Sequence, residues 1–390
     1  MLIGEKVQAA LAEKRAGFQL AAAEMTTQRD SYGALLRQLA GMSSDDVNQQ
    51  LGGVPWPGAR PTRELDQHGL FVPFPERWEA VQEARAWALE RLRGVPTLAV
   101  DGSQIAPSKE FGVPVSLVQV AWFENYHDPD RPYCKDVRNE VLSPGDNPAE
   151  PEQYAFIESR LSQRRFAMEM EVAGERLTML DPISQPVVLI DGTFVLSFAG
   201  RLAPPTRQAY LSALFALLDA SERTGVPVVG YVDLSYASDL AGLLETAFDR
   251  TGGRVFDAQI LAPHMNAFDR TVAFQCARGD VLPLYRSAHR DYGTDLYFVY
   301  LKMGQDRLPA RLDFPGWVLE AGLLNHVVDI VRAEAVVGSG YPYALETADA
   351  AAVLTTEDRL RFYRLFHDFA RESGLAAEIP GKSVSKGHRR

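Results

Sequence analysis

Residues 185–194 read QPVVLIDGTF, in which four consecutive apolar residues lead directly to Asp191. Such a run between turn residues is typical of a strand buried on both faces of a sheet. A second run, PTLAVDG at residues 96–102, reaches Asp101 in the same way. Ligands bind at strand ends in open α/β sheets, and two neighbouring carboxylates repel each other unless a cation or a shared proton intervenes. Asp101 and Asp191 therefore predict a functional site, although Asp-Gly after a strand is also ordinary turn chemistry.

The segments around these two runs predict the order βββαβαβα. Alternating apolar residues and turn signals indicate two further strands at residues 113–123 and 133–142, followed by a helix at 151–179. After the Asp191 strand at 185–194 they indicate a helix at 206–225, a strand at 227–233 and a helix at 240–250. This is the ribonuclease H topology. We expect an α/β fold with a ribonuclease H-like mixed sheet core flanked by helices. The domains predicted are a helical arm with a Pro-rich connector that lacks regular structure, the ribonuclease H-like core, and a basic, flexible tail, at residues 1–94, 95–370 and 371–390.

The predicted helix at residues 151–179 offers several glutamates as a third acidic ligand. At helical periodicity Glu169 falls between two apolar sectors, so its carboxylate can point inward, where a buried glutamate needs a partner such as a metal ion. Glu158 and Arg165 share this sector, so a solvated stripe or a local ion pair fits the periodicity equally well. Glu171 is the alternative if the helix register differs by half a turn.

Composition restricts the remaining possibilities. The formal net charge is −11, and residues 96–370 carry 24 basic and 37 acidic side chains, which argues against a broad electropositive surface for nucleic acid. Two cysteines and seven histidines without metal-binding spacing leave carboxylate oxygens as the only candidate metal ligands. No apolar stretch reaches the roughly 18 residues of a membrane span, so we expect a cytoplasmic protein without membrane contact.

Five segments resemble the NurA nuclease family in their order along the chain. They are LAVDGSQIAPSKEF (98–111) with the following strand and FENYHD (123–128), RRFAMEMEVA (164–173), VVLIDGTF (187–194), RLDFPGW (311–317) and GSGYPYALETADAAAVLTTEDR (338–359). The resemblance implies a manganese-dependent DNA nuclease, with Mg²⁺ as a possible substitute and two ions in the site. It also implies a homodimer that resects DNA ends with the hexameric ATPase HerA during double-strand break repair, at the nucleoid. Strand preference and polarity, such as 5′-3′ single-strand digestion, would follow the family.

The resemblance assigns catalytic and metal-binding roles to Asp101, Glu169 and Asp191, with Glu171 as the fallback. Where many relatives have Ala-His after the Tyr-Pro segment, this chain has Ala348-Asp349. An aspartate can still bind a hard cation, so Asp349 completes the predicted set of four, but the proton-transfer capacity of imidazole is lost there.

Weaker expectations concern residues around this set. Asp233 follows a predicted strand, where it is either an outer ligand or a helix N-cap. DNA phosphates are expected to contact Arg164 and Arg165, and Tyr341 and Tyr343 are expected to stack on bases.

Two other functions compete with the nuclease. The loss of the histidine at position 349 fits a degenerate, non-catalytic scaffold for the ATPase. The Asp-Gly-Thr triplet at residues 191–193 also occurs in actin-like phosphotransferases, but the chain has no GxxxxGK[ST] phosphate loop.

Overall fold

The computed structural model describes residues 3–107, 114–143, 154–250, 252–253, 255–288 and 295–375. The described helices are α1 (Gly4–Glu13), α2 (Arg15–Leu39), α3 (Ser44–Leu51), α4 (Glu64–His68), α5 (Val81–Leu92), α6 (Tyr154–Leu177), α7 (Pro204–Thr224), α8 (Asp239–Ala247), α9 (Asp257–Leu261), α10 (Leu282–Ala288), α11 (Gly316–Glu320), α12 (Leu324–Val337), α13 (Tyr343–Ala352) and α14 (Thr356–Glu372). The described strands are β1 (Gly58–Pro61), β2 (Phe71–Val72), β3 (Thr97–Ile105), β4 (Ser116–Asn125), β5 (Cys134–Leu142), β6 (Val187–Asp191), β7 (Val228–Val232), β8 (Arg270–Thr271), β9 (Phe274–Ala277), β10 (Leu296–Leu301) and β11 (Ala310–Pro315). Among these helices, none combines the length and the apolar character that crossing a bilayer requires.

The chain divides into two compact units. The first contains residues 1–77, 231–286 and 291–316, and the second contains residues 78–230, 287–290 and 317–390. The second unit holds the two runs that end at Asp101 and Asp191.

The sheet of the second unit has the strand order β5-β4-β3-β6-β7. β3 pairs antiparallel with β4, β4 pairs antiparallel with β5, and β3 pairs parallel with β6. If the five strands are numbered 1 to 5 by their order along the chain, from β3 to β7, their order across the sheet is 3-2-1-4-5. This order confirms the predicted ribonuclease H-like mixed sheet. β6 is continuously buried from Val187 to Ile190, as its apolar run predicts for a central strand.

Helices cover this sheet. α6 contacts β3, β4 and α7, while α13 contacts β3, β4 and β5, and α12 contacts α5 and α13. Side chains alternate between the two faces of a strand, so the contacts of each residue show which helix covers its face. Gln104 of β3 donates to Ser162 of α6 at 3.3 Å. Its neighbour Ser103 points to the other face and pairs with Gln119 of β4, so Gln119 shares the face of Ser103. Gln119 donates to the carbonyl of Ala352 in α13 at 3.1 Å. α6 and α13 therefore lie on opposite faces of the sheet.

The first unit has a sheet of its own strands in the order β1-β9-β10-β11, with β8 pairing with both β2 and β10. The Pro-rich connector was expected to lack regular structure, and this expectation is wrong for part of it. Gly58–Pro61 forms β1, which pairs antiparallel with β9, and Glu64–His68 forms a short helix. Proline has no backbone N–H to donate to a neighbouring strand, but an edge strand needs no donor on the side that faces solvent. Pro61 is the last residue of β1, which is an edge strand. The predicted tail lies outside the described residues from residue 376 onward.

Candidate functional site

Asp101 and Asp191 lie at the same level of two adjacent parallel strands. The ladder between β3 and β6 pairs Val100 with Ile190, so the next residue on each strand is an aspartate. The apolar residues before Asp191 are buried, whereas Asp191 itself is exposed. The sequence pattern thus brings two carboxylates to one end of the sheet.

Glu169 of α6 approaches this end of β3 from one face of the sheet. Its carboxylate passes so close to the backbone at Gly102 that a methyl group there would lie 2.3 Å from Glu169 Oε1. The Glu169 side chain is only 13% exposed. Arg165, one turn earlier on α6, donates to Glu169 Oε1 at 3.1 Å and to the Gly102 carbonyl at 2.9 Å. Gly102 therefore gives Glu169 its access to the neighbourhood of Asp101.

Glu171 lies outside this neighbourhood. Its side chain is 47% exposed and accepts a hydrogen bond from Arg164 at 2.8 Å. Arg164 also donates to both carboxylate oxygens of Glu140 on β5, at 2.8 and 2.6 Å. Of the two helix glutamates, the structure brings Glu169, which periodicity favours, to the aspartates, and not the alternative Glu171.

Asp349 reaches the site from the opposite face. Asp101 and Ser103 are two residues apart on β3, so their side chains point to the same face of the sheet. Ser103 pairs with Gln119, whose side chain contacts α13, so Asp101 points to the face that α13 covers. The Asp349 carboxyl lies beside that of Asp101, and its charge and side-chain contact both raise the pKa of Asp101. Four acids therefore come together from two strands and two helices, and we call them the carboxylate cluster: Asp101, Glu169, Asp191 and Asp349.

Crowding of like charges changes the acidity of this cluster. Burial raises the pKa of Asp101 to about 6; the Gly102 backbone N–H opposes the rise, and the charges of Asp349 and Asp191 add to it. Burial raises the pKa of Glu169 to about 7; Arg165 opposes the rise, and the charges of Asp101 and Asp191 add to it. Both carboxyls hold protons at higher pH than isolated side chains do, which is characteristic of carboxylates that share a site.

The donor chemistry of the cluster fits a hard divalent cation, because Mn²⁺ and Mg²⁺ prefer carboxylate oxygens. A cation would also relieve the repulsion that raises these pKa values. Within the described ranges, however, no three His, Cys, Asp or Glu side chains are grouped tightly enough to hold an ion as they stand. Arg165 donates to the Glu169 carboxylate, so this carboxylate can hold an ion only if Arg165 leaves it.

The other predicted residues differ in what they contact. Asp233 belongs to the first compact unit, and its Oδ1 accepts a hydrogen bond from Tyr231 at 3.4 Å. The N-cap alternative for Asp233 is wrong, because α8 begins at Asp239 with Ser238 at the N-cap. Tyr341 is half-buried, and Tyr343 is 40% exposed with its ring edge-on to Phe123. Their DNA contacts remain predictions.

Two residues of this region were not predicted from the sequence. Gly102 has only the general signature of turn chemistry, and its close approach to Glu169 depends on packing between distant segments. Tyr210 on α7 is buried, which raises its pKa, and the charges of Arg165 and Glu169 act on it. Its ring packs between Phe166 and Phe198, at centroid distances of 5.0 and 5.1 Å. Its two neighbours lie on other segments of the chain, so the pattern of its own helix does not identify them.

Comparison with known proteins gives one family and several solved structures. A family model described as the NurA domain matches residues 95–354. No curated protein matches the chain significantly. A crystal structure of NurA with manganese aligns with 71% of this chain and 89% of its own, at 9% identity and a TM-score of 0.46. A crystal structure of NurA bound to dAMP and manganese aligns with 91% of this chain and 94% of its own, at 10% identity and a TM-score of 0.44. A crystal structure of the catalytic domain of human endonuclease V aligns with 80% of this chain and 94% of its own, at 14% identity and a TM-score of 0.35.

Proposed function

The chain belongs to the NurA family, and from this membership we propose that it is a divalent-metal-dependent nuclease that hydrolyses DNA phosphodiester bonds at the carboxylate cluster. The observation that carries the proposal is the convergence of four acids from two faces of one sheet. Two of them have raised pKa values because each is buried beside other negative charges. Such pairs of perturbed carboxyls are typical of catalytic sites.

The proposed cofactor is manganese, with magnesium as a substitute and two ions in the site. Asp101 and Asp191 would hold the ions from the sheet, and Glu169 and Asp349 would hold them from the two helices. When bound, such ions activate water and stabilise the charge that develops on the leaving oxygen. Arg165 is placed to contact a DNA phosphate if its guanidinium leaves the Glu169 carboxylate, since it already points to this end of β3.

DNA delivery by a partner suits the charge of the chain. The net charge of −11 leaves little long-range attraction for DNA. We therefore propose a HerA-type hexameric ATPase as the partner that feeds DNA to a homodimer of this chain, in double-strand break repair at the nucleoid in the cytoplasm. Digestion would follow the family pattern of single-strand cleavage and 5′-3′ resection.

The decisive experiment compares Asp101→Asn with the wild-type chain on end-labelled single-stranded and duplex DNA in the presence of manganese. We expect a loss of cleavage of about a hundredfold or more, because the amide cannot replace a metal-binding carboxylate. Glu171→Gln is the control, since Glu171 lies on the same helix as Glu169 but outside the cluster. Equal cleavage by Asp101→Asn and wild type would remove the proposed role of the cluster.

A non-catalytic scaffold is the second candidate, and it is favoured by Asp349, which stands where many relatives have a histidine. In such a protein the carboxylate cluster would bind no ion. Calorimetric titration with manganese separates the two functions without relying on cleavage. Heat of binding that is lost in Asp101→Asn supports the nuclease, whereas no binding by the wild-type chain supports the scaffold.

A further inference from the structure

Glu334 is a buried carboxylate that contacts three separate segments of the second unit. It lies on α12, and its side chain is 1% exposed. The hydroxyl of Thr97 donates to Glu334 Oε1 at 2.7 Å, and the backbone N–H of Ala344 donates to Oε2 at 2.8 Å. Each carboxylate oxygen therefore has a different partner.

These two partners begin the elements that carry two acids of the cluster. Thr97 is the first residue of β3, the strand of Asp101, and Ala344 is the second residue of α13, the helix of Asp349. A carboxylate at a helix N-terminus is stabilised by the unpaired N–H groups and by the helix dipole. One rigid side chain thus fixes the start of α13 against the start of β3.

Two further contacts complete this arrangement. His127 lies beside Glu334, with Nε2 at 3.5 Å from Oε1. Its Nδ1 is 2.7 Å from the Val95 carbonyl, which can only accept, so Nδ1 carries the proton. At the other end of α13, Gln119 of β4 donates to the Ala352 carbonyl at 3.1 Å. α13 is therefore fixed to the sheet at both ends, with Asp349 between them.

We propose that Glu334 is a positioning residue for the nuclease reaction, because it sets the location of Asp349 relative to Asp101 without contacting DNA. This inference rests on the proposed function. Misplacement of a reacting group by about 1 Å can cost on the order of a hundredfold in rate, so a distant anchor of α13 affects the chemical step.

The test compares Glu334→Met with Glu334→Gln. Methionine has a similar length but no acceptor, so the Thr97 hydroxyl and the Ala344 N–H lose their partner. Glutamine can accept from Ala344 and donate to the Thr97 oxygen, so it preserves both contacts. We expect Glu334→Met to lower kcat about tenfold or more with KM for DNA within about twofold, and Glu334→Gln to remain within about threefold of wild type.

A double-variant cycle separates positioning from general destabilisation. If Glu334 acts through Asp349, then Asp349→Asn costs much less in the Glu334→Met background than in the wild-type background. Independent, multiplying effects on kcat would overturn the inference, and so would a lower Tm with unchanged kcat. Thr97→Val removes only one of the two contacts and provides the same cycle if Glu334→Met does not fold.

Hydrogen exchange distinguishes failure of this inference from failure of the proposed function. If the wild-type chain cleaves no DNA, the proposed function fails, but amide exchange in α13 still reports whether Glu334 fixes this helix. Faster exchange across Tyr343–Asp349 in Glu334→Met supports the anchor. Exchange equal to that of wild type overturns it.

Discussion

At the scale of single residues, the missing side chain of Gly102 lets the Glu169 carboxylate approach the strand of Asp101. Asp101 and Asp191 each end an apolar run, and strand periodicity is enough to place them at one end of the sheet. Glu169 and Glu171 differ by only two positions on a helix. Periodicity places Glu169 between the two apolar sectors, and Glu171 is the alternative if the helix register differs by half a turn. The decision between them depends on Gly102, a residue far away in sequence whose missing side chain leaves space for the Glu169 carboxylate.

The raised pKa of Glu169 predicts a pH-dependent stability. A carboxyl whose pKa rises on folding, here from 4.5 to about 7, stabilises the fold in its protonated form, and this contribution is lost as pH increases across that range. Without metal, we expect Glu169→Gln to unfold at a higher temperature than wild type at about pH 8, with the difference disappearing below pH 4.5, the ordinary pKa of the side chain. Thermal unfolding in EDTA across this pH range measures the effect.

Glu171→Gln is again the matched control, and its Tm relative to wild type should not follow that pH trend. Manganese should reduce the advantage of Glu169→Gln at high pH, because a cation offsets the repulsion in the wild-type cluster. A Glu169→Gln variant that is less stable than wild type at every pH would contradict the electrostatic origin of the shift.

At the scale of elements, α6 shows two adjacent arginines with different surroundings. Both were expected to bind DNA. Arg164 donates to Glu140 of β5 and to Glu171 of α6, whereas Arg165 donates to the Gly102 carbonyl and to Glu169. Adjacent helix residues point about 100° apart, so one helix presents its arginines to two environments.

These surroundings predict different consequences for the two arginines. Arg165→Ala should weaken binding of labelled single-stranded DNA and reduce cleavage, because it removes the guanidinium that contacts Glu169 of the cluster. Arg164→Ala should leave DNA affinity within about twofold and lower the free energy of unfolding by roughly 1 kcal/mol, which is the range of partly exposed ion pairs. Fluorescence anisotropy and urea unfolding measure the two effects. Equal losses of DNA affinity in both variants would contradict the assignment.

The same scale shows why the Pro-rich segment was misinterpreted. Proline and glycine at residues 53–61 predict an irregular connector when they are considered alone. Their pairing with β9, which is more than 200 residues later in the sequence, makes Gly58–Pro61 a strand. The local sequence does not predict this strand, because its hydrogen bonds are made with a partner strand that is distant in the chain.

At the scale of the whole molecule, the first unit depends on contacts between distant segments. Arg270 is buried with a side-chain exposure of 1%, and its guanidinium donates to both oxygens of Glu64, at 2.9 and 2.8 Å. Burial alone would raise the pKa of Glu64, but its hydrogen bonds with Arg270 hold the pKa below its usual value. Periodicity predicts neither the pair nor its burial, since the two residues lie in separate parts of the chain.

Removal of Glu64 should therefore leave the Arg270 guanidinium buried without the carboxylate that pairs with it. We expect Glu64→Ala to lower the free energy of unfolding by about 3 kcal/mol, in the range found when one partner of a buried ion pair is lost. Urea unfolding followed by circular dichroism measures the change. Glu79→Ala provides a control at an exposed glutamate of the second unit. A loss as small as that of the control would contradict the importance of the pair.

The carboxylate cluster takes its acids from both layers of helices that cover one sheet, and from early and late parts of the chain. A nascent chain that has not yet received α13 lacks the fourth acid and its anchor, whatever the state of the first strands. The proposed cutting activity would thus be withheld during synthesis until nearly the entire nuclease core has been made. For an enzyme that degrades DNA, this order of assembly would itself protect the cell that produces it.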